Sequence, residues 1–92
     1  VNSDTERQAQ ECAASIRRLN GEVTAAIDRR DFTTADKLDR QRSKLQRMLA
    51  AHHEEKAKGY ERTLAVTGAT TCRSEITYHR TQAAILRKDA AS

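Results

Sequence analysis

Proline is absent from the chain, and glycine occurs only three times in 92 residues. A sheet protein of this size needs many tight turns, and turns draw on the residue types that are missing here. The composition therefore predicts long helices. Aromatics are nearly as scarce, with one Phe and two Tyr, and this counts against a platform that stacks unpaired bases. No stretch approaches the run of about 18 apolar residues needed to span a membrane. The opening VNSDTERQAQE is polar, without a basic segment leading into an apolar one. The expectation is a cytoplasmic protein with no membrane contact. There is no glycine-rich phosphate loop, and no cofactor is expected.

What is present is charge. Charged residues make up 33% of the chain against 37% hydrophobic, and 17 basic against 13 acidic side chains leave +4. That excess favours acidic partners, but the signs are mixed, unlike a polybasic tail. A chain this short forms one domain (1–92) and buries only about 60 to 65% of its unfolded surface.

Three helical segments are predicted, at about 3–31, 34–67 and 71–90. In the first, SDTE forms a capping box in which Ser3 accepts from the orphan amides and Glu6 reaches back. Ala9, Cys12, Ile16, Leu19, Val23, Ala26 and the stem of Arg30 then alternate three and four apart. This is the seam of shallow-angle, coiled-coil-like packing. Around the break, Thr33 is the expected N-cap with Asp36 at its acidic third position, and Phe32 is expected to cover the end of the core against Ile27 and Leu38. So short a link makes the two helices antiparallel neighbours.

The second helix would extend roughly 50 Å if unbroken. Its inward line is Ala35, Leu38, Arg42, Leu45, Leu49, His52, Lys56, Tyr60 and Leu64. The polar middle of this line predicts a kink or a wet layer near Lys56 to Gly59. Gly68 suits a helix C-cap. In the third helix Cys72, Ile76, His79, Ala83, Leu86 and Ala90 repeat the alternating spacing. The expected fold is all-α: a three-helix antiparallel bundle, or a long helical hairpin with a third helix packed back. Its expected core is Ile16, Leu19, Val23, Ile27, Leu38, Leu45, Leu49, Ile76, Ala83 and Leu86. Counting from the turns puts Cys12 level with His52 and some 20 Å along the helix axes from Cys72, too far for a disulfide.

The candidate functional residues begin with a basic row. Lys37, Arg40, Lys44 and Arg47 fall at offsets 0, 3, 7 and 10, within an arc of about 80° on a helix surface and away from the leucine line. Such a row fits phosphates or an acidic protein surface. Asp36 and Asp39 interrupt the field, and no helix-turn-helix, zinc finger or basic zipper accompanies it. Nucleic acid is therefore the alternative, and protein association the leading reading. HHEEK at 52–56 lacks the second His that a helical HExxH metal site requires, so no metal ligand is assigned. His52 is expected on the seam, His53 outside it, and His79 hydrogen-bonded to Tyr60 or Glu55. Ser, Cys, His and carboxylates form no local nucleophile, base and orienting group, so no catalytic residue is assigned and the protein is not expected to be an enzyme. Tyr60 and Tyr78 should lie at one height on neighbouring helices. With Phe32 they are candidate protein-interface anchors.

The corner also resembles a UVR-type helical hairpin. Val23, Ala26, Asp31, Phe32, Ala35, Leu38 and Leu45, within residues 23–45, carry the likeness. Asp36 stands where that family often has a small residue. The resemblance implies paired helices joined by an acidic-aromatic turn that serves protein association. The expected function is a non-catalytic interaction or adaptor protein for an acidic partner. Homodimerisation is a further expectation, since a second chain could complete the polar middle of helix 2.

Overall fold

The computed structural model describes residues 2–91; the side chains of residues 2 and 3 are outside that description, and with them the cap expected at Ser3. The described chain is all-α: α1 (Asn2–Asp28), α2 (Phe32–Thr67) and α3 (Thr71–Ala91). α1 and α3 each pack on α2, but their Cα atoms do not approach each other within 8 Å among the described residues. The result is an open antiparallel arrangement in which a long hairpin carries a third helix packed back. It measures 54 × 26 × 15 Å, and its long axis matches the span of α2 at about 1.5 Å per residue.

The first corner is tighter than the sequence suggests. α1 ends at Asp28 instead of Asp31, because Arg30 adopts a left-handed conformation with φ 63°. The Arg30 amide donates to the Ile27 carbonyl at 2.9 Å and the Asp31 amide to the Ala26 carbonyl at 2.9 Å. These are the two bonds of a Schellman closure. The left-handed state costs a non-glycine residue roughly 1 kcal/mol. Asp31 then serves the next helix as well, its carboxylate accepting from the Thr34 amide at 3.3 Å. Asp31, and not Thr33, is thus the N-cap, and Asp36 completes no capping box. That capping hydrogen bond holds the Asp31 carboxyl below the usual carboxylate range.

Moving the cap forward makes Phe32 the first residue of α2 and leaves it 55% exposed, with Ile27 48% exposed. Neither closes the core, contrary to the expectation for both. At the other corner Gly68, at φ 69°, donates its amide to the Leu64 carbonyl at 2.8 Å. This is the C-cap expected there, in the conformation glycine adopts most cheaply.

α2 runs without a break through Lys56 to Gly59, so the expected kink is absent. Both neighbours brace this stretch. Lys56 pairs with Glu6 of α1, and Ala57 is fully buried. α2 therefore has two working faces. On the first, Arg42 donates to the Asn20 side chain at 2.9 Å, the Leu45 carbonyl accepts from Cys12, and Lys56 meets Glu6. On the second, Glu54 and Glu61 meet Arg87 and Arg80 of α3. Residues 50, 54, 57 and 61 share this second face, which lies about 130° around the helix from the first.

The most buried apolar side chains on α1 are Ile16, Leu19, Val23 and Ala26, with Leu19 at 2% exposure. Elsewhere the buried apolar positions are small: Ala35, Ala50, Ala57, Cys72, Ala83 and Ala90. Leu38, Leu45, Leu49, Ile76 and Leu86, all expected in the core, are half-buried. An open arrangement covers α2 on only part of its circumference, so larger side chains stop at the rim.

Candidate functional site

The basic row lies where its spacing put it. Lys37, Arg40, Lys44 and Arg47 are all exposed on the outer face of α2. About half of the other cations have a carboxylate partner among the described residues, including Arg18 with Glu22, Lys58 with Glu55, and Arg42 with Asp39. Among the described residues Arg40, Lys44 and Arg47 make no hydrogen bond or ion pair, and the Lys37 charge acts only weakly on Asp31. Met48, eleven residues beyond Lys37 and so on the same face, is 56% exposed. The row extends over about 15 Å, with Met48 near its end.

Tyr60, Tyr78 and the histidines form a second cluster, at the polar middle of α2. His53 is half-buried, not outside as expected. Its Nδ1 lies 2.7 Å from Nδ1 of His79, and the rings are 5.0 Å apart at 35°. Two such atoms hydrogen-bond only if one carries a proton and the other a lone pair. His79 also stacks on Tyr60 at 5.8 Å and 13°, while its Nε2 lies 3.7 Å from the Glu75 carboxylate. Its partner is therefore His53; Tyr60 serves as a stacking surface, and Glu55 pairs with Lys58.

Tyr78 meets the edges of both His53 and His79. Tyr60 and Tyr78 thus share one cluster, joined through His79. Beside them an open groove of about 360 Å³ runs between α1 and α3, lined in part by Ala13, Leu49, Tyr78 and His79.

Desolvation by burial is the main cause that lowers the pKa of both His53 and His79. For His53 the charges of His79 and His52 add to it and Glu6 opposes. For His79 the Glu75 carboxylate opposes most, with Lys56 and His52 lowering and Glu6 raising.

Cys12 and Cys72 are both free thiols. Cys12 donates to the Leu45 carbonyl at 3.2 Å, about two turns before His52. The expected level shifts because the corner centres on Arg30 and not on Phe32. Burial pushes the Cys12 thiol pKa up, against a smaller backbone contribution from Leu49, so the group is a poor nucleophile at neutral pH.

Some features were not singled out from sequence. Gln46 is 6% exposed in the middle of α2, and its Oε1, like Arg42 Nε, has no hydrogen-bond partner among the described residues. The recurrence of Ala50, Glu54, Ala57 and Glu61 at offsets 0, 4, 7 and 11 was the available signal for the α3 face. Among the described residues no group of three or more His, Cys, Asp and Glu is placed to hold a metal ion, and no helix is long and apolar enough to cross a membrane. Compared with known proteins, no protein family, no curated protein and no solved structure matches the chain.

Proposed function

We propose that the protein is a non-catalytic helical interaction protein that binds an acidic protein surface through the outer face of α2. The observation that carries this reading is the run of exposed cations at Arg40, Lys44 and Arg47 on one helix face, without carboxylate partners among the described residues. An unpaired cation on a solvated face keeps its hydration until a partner arrives, so it can steer an encounter without first breaking an internal bond. Charges of this kind set association rate and salt dependence more than affinity. Apolar anchors supply the rest, and Met48 and Phe32 are exposed within reach of the row. The UVR-like corner, with Phe32 turned outward, supports protein association at the same end of the molecule.

Nucleic acid remains the second reading, because phosphates accept the same cations. The quadruple variant Lys37→Gln, Arg40→Gln, Lys44→Gln and Arg47→Gln separates the two. All four side chains are exposed, so its circular dichroism should match that of the parent. Pull-down from the native organism with and without nuclease, alongside titration with duplex and single-stranded nucleic acid at two salt concentrations, reads the outcome. A protein that binds the parent, survives nuclease and is lost with the variant supports the proposal. Tight, salt-dependent nucleic-acid binding that the variant abolishes replaces it with the second reading, and a partner held equally by the variant rejects both.

A further inference from the structure

We infer that the His53–His79 contact is a proton-operated latch on α3: a single proton shared between the two Nδ1 atoms holds the helix on α2, and conversion of both rings to cations opens the seam. The two imidazoles come from different helices, and their nitrogens meet at 2.7 Å. With a single proton this is a hydrogen bond. One added proton leaves the contact intact, because the ring that stays neutral can take the tautomer whose Nδ1 accepts; when both rings are cations, both nitrogens are N–H donors aimed at each other and the distance cannot be kept. No rotation of one ring relieves it cheaply, because Tyr60 stacks on His79 and the edge of Tyr78 sits against both rings.

The surrounding charges decide the direction. From α1 the cluster faces Glu6, which is already paired with Lys56. From α2 it faces His52, Lys56 and Tyr60, and from α3 Glu75 and Tyr78. Glu75, at 3.7 Å from the far nitrogen of His79, favours a cation there, but burial outweighs it and both histidines resist protonation. A histidine held below its free value of about 6.5 contributes stability that is complete above that pH. The contribution falls as the pH drops below it, because the open form takes up protons the closed form refuses.

The rest of the α2–α3 seam is poorly equipped to resist. Its buried positions include Ala50, Ala57 and Ala83. Its ion pairs Arg87–Glu54 and Arg80–Glu61 are solvent-exposed, a class that contributes little. The α1–α2 seam contains neither half of the Nδ1 pair, so opening is confined to α3.

Amide hydrogen exchange on the intact chain, corrected for intrinsic rates at each pH, tests this. Between pH 7.5 and 5.5 the protection of the Ala83 amide is expected to fall about tenfold for each pH unit in which the open form gains one more proton. Protection of the Leu19 amide should stay within about twofold, as it lies on the other seam. His79→Gln should remove the pH dependence at Ala83. Should that variant fail to fold, the 15N shifts of the parent's imidazoles give the same answer: titration of both rings below the free histidine range supports the latch. Ring titration near pH 6.5, unchanged Ala83 protection, or an equal fall at Leu19 overturns it.

Discussion

The two seams of α2 are built on different principles. Against α1, the helix meets branched side chains: Ile16, Leu19 and Val23 of α1 are buried, and Leu45 and Leu49 of α2 are half-buried. Against α3, it meets mostly alanines, a pair of solvent-exposed salt bridges and the histidine contact. Large apolar side chains remove more area from water, at about 25 cal/mol per Å². Small ones allow close approach but bury little, and an exposed ion pair contributes at most about 1 kcal/mol. The first corner is closed by two backbone bonds and a carboxylate cap, the second by the Gly68 amide on the Leu64 carbonyl and the Ala69 amide on the Thr67 hydroxyl. From the difference in buried side-chain size it follows that α3 should be the first element to leave, and that the hairpin is the stable unit. This difference also explains how a proton at one histidine pair could matter: a weak seam can be moved by a small free-energy change.

Substitutions can break that contrast or sharpen it. Leu19→Ala should have the largest effect, about 2 to 5 kcal/mol in urea unfolding, since it leaves a cavity in the seam that buries the larger side chains. Leu45→Asp, at a half-buried site, should cost less than Leu19→Asp. A loss below about 1 kcal/mol for Leu19→Ala would mean the first seam is not the main source of stability. Next comes Ala57→Leu. Its extra carbons must enter a fully buried position, at a cost of roughly 1 to 3 kcal/mol. The loss should appear as proteolytic sensitivity in α3 with α1 still protected; uniform sensitivity would contradict the ranking of the two seams.

The smallest effect is a gain. At Gly59 an added Cβ would meet only the Arg62 Nη2 at 3.9 Å. Gly59→Ala should therefore raise stability by roughly 0.5 to 1 kcal/mol through helix propensity alone, read as a higher Tm. A fall would show that the middle of α2 needs to bend.

Much of this was legible in advance, for reasons that differ by residue. The 3-4 spacing of Ile16, Leu19 and Val23 marks the buried face of α1 because a helix repeats every 3.6 residues. Gly68 marks a helix end because few other residues take positive φ so cheaply. The exposed row from Lys37 to Arg47 follows from the same periodicity. Ile27 misled because it precedes a corner that turns sooner than expected. Thr33 misled because Asp31 is the stronger acceptor and sits where the left-handed Arg30 delivers it. The assignments of His53 to the outside and of a kink to Lys56–Gly59 both assumed one buried face on α2, where the molecule has two.

The sequence by itself determined that the chain is helical, where most of its helix ends fall, and which residues share a face, since these depend on interactions within about four residues. Only the tertiary structure decided that α1 and α3 sit on two faces of α2 without meeting, that Phe32 and Ile27 stay in solvent, and that His53 meets His79 across 26 positions. Those outcomes depend on how far each neighbouring helix reaches around α2. That is set by packing between distant segments, which no local pattern encodes.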